Sequence, residues 1–207
     1  MKIYTKGGDE GSTSFYGGKR VLKNDLLVSA YGDVDELNSS IGITLAYLTN
    51  ANMNYGSKWW YRYFTRGKIR KNIIKQLENI QNDLFNIGFE LATPPEEINK
   101  KEKTGIFKNF VNNNDVIDLE VAIDKMQDSL PSLDNFILPT GILPAAQLQL
   151  SRAICRRAER SIVTASQEVE ISTNILVYIN RLSDYLFVLA RFTHINFDGR
   201  AEKMWNK

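Results

Sequence analysis

Apolar residues recur at every third or fourth position along most of the chain, which is the spacing of helices that bury one face. Four stretches carry such a stripe, and a fifth helical segment at residues 152–160 mixes apolar and charged positions. The stripes consist of Val34, Leu37, Ile41, Leu45 and Leu48; of Ile73, Leu77, Ile80, Leu84, Ile87 and Leu91; of Leu119, Ile123, Met126 and Leu130; and of Leu176, Ile179, Leu186 and Leu189. The pattern predicts an all-α fold, a five-helix up-and-down bundle.

Four breaks rich in proline, glycine or polar residues separate these segments, at 51–67, 93–114, 131–144 and 168–172. The first break contains the aromatic run WWYRYF at 59–64. We interpret Trp59 and Trp60 as part of a local packing insert or a partner contact, without a chemical role. Strict strand alternation is scarce, so no substantial sheet is expected.

The segment RAICRRAER at 152–160 is the most unusual of the five. At helical pitch, one face within about a third of the circumference gathers Arg152, Arg156, Glu159 and Arg160. The opposite, packing face is expected to hold Ile154 and Ala158, flanked by Leu150 and Ile162. Like charges four residues apart weaken an isolated helix, so a bound anion is our favoured interpretation. A solvated face, on which Glu159 ties down its neighbours, is the alternative.

Composition narrows the classes of function. The chain has 207 residues, of which 43% are hydrophobic, with a net charge of +2, which predicts one domain over 1–207 and argues against nucleic acid or a membrane surface as a partner. One cysteine, Cys155, excludes an internal disulfide and is expected to be a small buried hydrophobe. One histidine, His194, makes a histidine-based metal site or a Ser/His/Asp triad implausible. We expect a cytoplasmic protein, or a mitochondrial matrix protein if a targeting segment has been removed.

The start of the chain, YTKGGDEGSTSFYGGKR, is rich in glycine, hydroxyl groups and lysine. Glycines allow the backbone to approach a ligand closely, and successive backbone N–H groups can cradle an anion. The segment matches neither a Walker A loop nor a GxGxxG motif. We define residues 1–27 as the N-terminal strip, 28–195 as the helical bundle and 196–207 as the C-terminal tail.

Three further segments carry polar or aromatic side chains that a plain bundle does not need. In AYGDVDELNSSIG at 30–42, Asp33 and Asp35 fit a helix N-terminus, yet an inward Asp35 would need a cationic partner such as the arginine segment. Phe136 in NFILPTG is either a core residue or an aromatic presented to a ligand. In 180–191, Asn180, Asp184, Phe187 and Arg191 share one face; mutual salt bridging of Arg181, Asp184 and Arg191 is the simplest interpretation.

Taken together, these segments resemble the PduO-type ATP:cob(I)alamin adenosyltransferases. The blocks that carry the resemblance, in family order, are YTKGGDEGSTS, RVLKND, AYGDVDELNSSIG, FILPTG, RAICRRAER and YINRLSDYLFVLAR. The resemblance implies a ferritin-like five-helix bundle with an extended glycine-rich N-terminal strip, assembled as a homotrimer with sites between subunits. It also implies transfer of the adenosyl group of ATP to the cobalt of reduced cobalamin, with release of triphosphate.

The resemblance assigns roles to particular residues. The implied ATP-binding residues are Thr5, Lys6, Gly7, Gly8, Thr13, Ser14 and Lys23 in the strip, with Arg156, Arg157, Glu159, Arg160 and Asn180 in the helices. Phe136 matches the aromatic that displaces the lower axial base of the corrinoid, and Asp35 and Arg152 match a salt bridge that shapes the site. The expected cobalamin-binding residues are Phe136, Asp35, Arg152 and Phe187. The expected catalytic residues are Phe136, Asp35, Arg152 and Arg156.

Other expectations follow from the same resemblance. Mg²⁺ is expected to accompany the triphosphate, with no protein side chain assigned as a ligand. A reductase that supplies cob(I)alamin and an adenosylcobalamin-dependent enzyme that receives the product are the expected partners. The chain departs from the family pattern at Thr140-Gly141-Ile142, Gln149 and Leu27. The alternative function is a cobalamin carrier or chaperone of the same fold with little turnover.

Overall fold

The computed structural model describes residues 2–50, 59–94, 97–98 and 110–206. Within them lie five long helices, as the stripes predict. They are α1 (Leu26–Asn50), α2 (Trp59–Leu91), α3 (Asn113–Gln127), α4 (Leu143–Ala165) and α5 (Thr173–Phe197). Helix α1 begins at Leu26 and α5 ends at Phe197, while the division of the chain at 28 and 195 stays a prediction.

The first predicted break was drawn too long. The backbone of residues 59–67 belongs to α2, because the aromatic run that we placed in a connection continues the helix toward its N-terminus. Residues 51–58, and the side chains of Trp59 and Trp60, lie outside what the structure describes, so their packing or partner role stays a prediction.

Each helix packs on a limited set of neighbours. Helix α1 lies between α2 and α4, α4 also packs on α5, and α5 also packs on α3. Small residues line the α1–α4 contact, where the Ser40 and Ser151 hydroxyls share a hydrogen bond of 3.0 Å while both are buried. Because these side chains are small, the two backbones approach closely, and α1 and α4 are fixed firmly relative to one another.

The stripes form the core as predicted, with Leu37, Leu77 and Ile179 fully buried. One flanking position was wrong: Leu150 is 53% exposed, because it lies on the outer side of α4, whereas Ile162 is buried. The start of α1 also differs from the expectation. Its first turn is capped by Asp25, whose carboxylate accepts from the Leu27 amide at 2.9 Å; Asp33 and Asp35 lie inside the helix and cap nothing.

The N-terminal strip contains a small antiparallel hairpin that the sequence pattern did not reveal. Strands β1 (Ser12–Ser14) and β2 (Arg20–Leu22) pair with Thr13 opposite Val21, and Gly17 and Gly18 adopt positive φ in the turn. Three residues are too few to show alternation. Phe15 is buried against the bundle, and the Tyr16 amide donates to the carbonyl of Ala92, just past α2, at 2.8 Å.

The C-terminal tail returns along the loop that precedes α4. Residues Ile137 and Met204 form an antiparallel β-bridge, and the Leu138 amide donates to the carbonyl of Lys203 at 2.8 Å. None of the helices in the described residues combines the length and the apolar composition of a membrane span.

Candidate functional site

Helix α4 separates its charged and apolar faces as the sequence predicted. Ile154 is 8% exposed and Ala158 is fully buried, whereas Arg156 and Arg160 are exposed and Arg152 is half-buried. The buried face packs on α1 and α5, so the helix cannot rotate without losing core contacts. The arginines are therefore presented to one side of a fixed helix.

Arg157 is the arginine that turns toward α1. Its Nε donates to Asp33 at 3.1 Å, and its Nη2 also pairs with Glu36. The Ser161 hydroxyl donates to the other oxygen of Asp33. The two carboxylates raise the pKa of Arg157 further above its ordinary value. Asp33 thus has the α4 cation that the sequence argument gave to Asp35.

Arg156 differs from its neighbour. Glu159 accepts from the side-chain amide of Asn180 at 2.7 Å, and the Arg160 guanidinium donates to the backbone carbonyl of Arg156 at 2.9 Å. The Arg156 side chain itself takes no part in the hydrogen bonds and ion pairs that we find among the described residues. The Glu159–Asn180 bond joins α4 to α5, and the Arg156 guanidinium is left exposed.

The predicted salt bridge between Asp35 and Arg152 is not formed within the described chain. Asp35 is exposed rather than inward, because its position on α1 faces away from α2 and α4. Arg152 instead donates to Gln149 at 3.0 Å and lies 5.8 Å from the centroid of the Phe187 ring. Burial and the nearby Arg156 lower the pKa of Arg152 from its ordinary value. Arg152 and Phe187, both assigned to cobalamin, are thus together.

The strip brings several predicted ATP-binding groups close to one another. The Lys23 amine lies against Gly8, where an added Cβ would be only 3.3 Å from Nζ. Arg20 donates to the carbonyl of Gly7 at 2.6 Å and also to the Ser12 hydroxyl. The Gly7 amide donates weakly to the Thr5 hydroxyl at 3.4 Å. Exposed Lys6, with φ of 60°, completes this turn.

The strip and the arginine face lie on different sides of α1. The Thr13 side chain of the strip lies next to Tyr31, whose phenol has its pKa raised by burial, whereas Arg157 of α4 donates to Asp33. Tyr31 and Asp33 are two positions apart on α1, so their side chains point about 200° apart around the helix axis. Within one chain, therefore, the contacts with Tyr31 and Asp33 direct the strip and α4 to opposite flanks of α1.

Phe136 is not a core residue. Its side chain is 76% exposed, which excludes the burial expected from statistics and favours presentation to a ligand. The Trp205 ring meets it edge to face, with the ring centroids 6.1 Å apart. The exposed ring belongs to a loop that packs against the C-terminal tail.

No acidic or sulfur-rich metal site is found in the described ranges: nowhere do three or more His, Cys, Asp or Glu side chains gather. Cys155 is buried, and burial first, then Glu159, raises the pKa of its thiol well above the ordinary value. It is not positioned as a nucleophile.

Comparison with known proteins identifies the family. The family model for cobalamin adenosyltransferase matches residues 3–193. The chain belongs to the cobalamin adenosyltransferase family.

Relatives from distant organisms cover nearly all of the chain. The corrinoid adenosyltransferase MMAB of Bos taurus is 36% identical over all of this chain and 76% of its own length. The corrinoid adenosyltransferase of Bacillus subtilis is 38% identical over 92% of this chain and 86% of its own. A variant PduO-type ATP:corrinoid adenosyltransferase of Lactobacillus reuteri, solved with cobalamin and ATP, superposes with a TM-score of 0.81, 34% identity and complete coverage of both chains.

In the loop that departs from the family pattern, Gly141 has a backbone conformation that only glycine adopts readily. Gly141 adopts φ of 120°, and an added Cβ would lie 2.7 Å from Nδ1 of His194. Glycine is required here, and the buried His194 serves as a packing surface. A cavity of about 340 Å³ lies behind the loop, lined among others by Gln149 and Lys203.

The sequence analysis missed the partner of Arg191 and the position of the C-terminal tail. Arg181 does pair with Asp184 at 2.6 Å as predicted, but Arg191 does not join them. Arg191 instead binds Glu202 of the tail. The tail is a short polar segment without periodicity, so no local signal placed it beside the loop that carries Phe136.

Proposed function

We propose that this chain transfers the adenosyl group of ATP to the cobalt of reduced cobalamin, forming adenosylcobalamin and releasing triphosphate. The observation that carries the proposal is an outward Arg156 and an exposed Phe136 on a chain of the cobalamin adenosyltransferase family. Relatives named for this activity match the whole chain, and a structural neighbour was solved with both substrates.

The chemistry needs positioning more than acid–base groups. Cobalt(I) supplies an electron pair that forms the Co–C bond to C5′ of ATP. The C5′–O bond breaks at the same time, and its bonding electrons leave with triphosphate. The nucleophile belongs to the substrate, which accords with a buried thiol in Cys155 and a buried imidazole in His194. What remains for the protein is orientation and stabilisation of the departing charge.

The nucleotide half of the site combines helix and strip. Arg156 and Arg160 offer exposed guanidinium groups, and Lys23 beside Gly8 offers an amine next to backbone that can approach a phosphate. Mg²⁺ bound mainly by triphosphate oxygens would lower the negative charge of the leaving group. Glu159 and Asn180 keep α4 and α5 in register beside it.

A complete site is proposed to need more than one copy of the chain. The strip and the arginine face are directed to opposite flanks of α1 by their contacts with Tyr31 and Asp33. A neighbouring copy can supply the missing half, and can bring its Asp35 to Arg152, which do not meet within one chain. This geometry supports an assembly of several copies, and we propose the homotrimer because the family resemblance implies it. Light scattering of the purified protein tests it.

The corrinoid half is proposed to centre on Phe136. An exposed aromatic ring under a corrin would occupy the lower axial position, exclude water and favour loss of the lower base, which makes cobalt(II) easier to reduce. Arg152 and Phe187 would line the same side. A cob(I)alamin-generating reductase and an adenosylcobalamin-dependent acceptor are the proposed partners, and the cytoplasm is the proposed compartment.

One assay tests the function directly. The full chain is given ATP, Mg²⁺ and chemically reduced cobalamin without oxygen, while the cobalamin spectrum and triphosphate are followed together. Stoichiometric formation of adenosylcobalamin and triphosphate supports the proposal. Tight corrinoid binding without turnover would contradict it and indicate a carrier.

A further inference from the structure

Arg191 and Glu202 form a buried ion pair that the proposed reaction does not use. Their side chains are only 4% and 7% exposed. The Arg191 Nε donates to both Glu202 oxygens, at 3.0 and 3.1 Å, and Nη2 donates to Oε2 at 2.9 Å. The same Nη2 donates to the carbonyl of Pro131 at 2.8 Å. Burying two charges is costly unless such bonds satisfy them, so the pair fixes geometry at this point.

The three groups belong to three separate parts of the chain. Arg191 lies in the rigid helix α5, Pro131 begins the segment that leads to Phe136, and Glu202 lies in the tail. One guanidinium therefore fastens both the segment and the tail to the bundle. Because Arg191 is held by α5, it sets where the other two can lie.

From Glu202 the tail continues directly to Phe136. The Leu138 amide donates to the carbonyl of Lys203 at 2.8 Å, and the Trp205 amide donates to the carbonyl of Phe136 at 2.7 Å. The Asn135 side-chain amide also donates to the Trp205 carbonyl at 3.0 Å. The ring of Phe136 is largely exposed, and the hydrogen bonds to the tail hold its backbone.

We propose that Arg191 and Glu202 are positioning residues that hold Phe136 in the position that a bound corrinoid requires. This inference rests on the proposed function. Loss of the ion pair would release the tail, and with it the backbone that flanks Phe136. The nucleotide half, on α4 and the strip, would stay in place.

The first test compares two glutamates that pair with arginines of α5. Glu202→Gln keeps the shape of the side chain but removes its charge, and we expect turnover to fall about tenfold, because small misplacements at a reacting centre are costly. The KM for ATP should not change. Glu120→Gln is the matched control, since Glu120 accepts from Arg181 at 3.0 Å but is 46% exposed. Equal effects of the two variants would overturn the proposal.

The second test asks whether Glu202 acts through Phe136. In a double-mutant cycle, Glu202→Gln is combined with Phe136→Ala, and residues that act as one unit give non-additive losses. We expect Glu202→Gln to cost little once the ring of Phe136 has gone. Fully additive losses would show that Glu202 acts elsewhere and would overturn the inference.

The third test does not depend on turnover. Amide hydrogen exchange at Leu138 and Trp205 reports the bonds between loop and tail, and both amides should exchange faster in Glu202→Gln than in Glu120→Gln. Unchanged exchange would overturn the inference, even if the wild-type chain proved inactive and the proposed function failed. If Glu202→Gln does not fold, Arg191→Lys is measured instead, because lysine keeps the charge but loses the planar fork; wild-type exchange and turnover in it would contradict the proposal.

Discussion

The arginine helix and the N-terminal strip are expected to bind the same triphosphate, yet the chain holds them very differently. Behind the arginines of α4, Cys155, Ala158 and Ile162 are fully buried. In the strip, residues 2–7 are exposed, and the hairpin is anchored to the bundle by Phe15 and by the Tyr16–Ala92 backbone bond. One half of the site is part of the core, and the other is attached to it.

This difference teaches how the two halves share the work. Charges on a fixed helix are preorganised and stabilise a leaving group without reorganising at the moment of reaction. A strip with few buried contacts must be ordered when ATP binds, at a cost in conformational entropy. We therefore expect changes in α4 to affect turnover and changes in the strip to affect ATP affinity.

Arg156→Ala should give the largest loss. Removing a charge that stabilises a leaving group typically costs about 100- to 1,000-fold in turnover. The fold should be unaffected because the side chain is exposed. Steady-state kinetics with saturating ATP and reduced cobalamin measure the loss. Lys125→Ala on α3 is the control that removes the same charge elsewhere, and unaltered kinetics in Arg156→Ala would remove α4 from the chemistry.

Phe136→Ala should have the next largest effect, and it extends the comparison to the corrinoid half. We expect turnover to fall about 10- to 100-fold, since a misplaced or solvated reacting centre loses on that scale. The KM for ATP should stay within about twofold, because Phe136 is assigned to the corrinoid half and not to the nucleotide half. Absorption spectra of bound cob(II)alamin check whether the lower base remains bound. Equal losses in turnover and ATP affinity would contradict the assigned role.

How much of this was readable from the sequence depends on the range of each contact. The stripe of Ile73, Leu77 and Ile80 predicted α2 because helical periodicity is local. The two faces of α4 were predicted in the same way. The hairpin at 12–22 was missed, since strands of three residues carry no period.

The candidate site was predictable in its members more than in its pairs. From the sequence we predicted a cationic partner on α4 for Asp35, whereas in the structure Asp33 pairs with Arg157. A difference of two residues turns a side chain to the other side of a helix, and only the packing of α1 on α4 decides which side faces inward. Likewise, nothing local links Arg191 to Glu202, because their contact depends on the path of the tail.

Phe15→Ala tests the strip. Phe15 is 7% exposed and docks the hairpin, so its loss should raise the KM for ATP about tenfold, the factor that corresponds to roughly 1.4 kcal/mol of docking free energy. Turnover at saturating ATP should change little, because the arginines of α4 are untouched. Leu22→Ala is the control in the same hairpin, where the side chain is 63% exposed. A fall in turnover without a change in KM would reverse our division of labour between the halves.

Cys155→Ala should have the smallest effect on activity and gives the strictest test of the rigid half. The Cys155 thiol is buried and bonds to the carbonyl of Ile179 at 3.4 Å. Burial raises the pKa of this acid, so the thiol stays neutral and supplies no thiolate between about pH 7 and 9. Turnover should remain within about twofold of wild type, with an unchanged pH–rate profile and a stability loss of about 1 kcal/mol in urea unfolding. A large loss of turnover in a variant of normal stability would show that the helix behind the arginines takes part in the chemistry, beyond holding them in place.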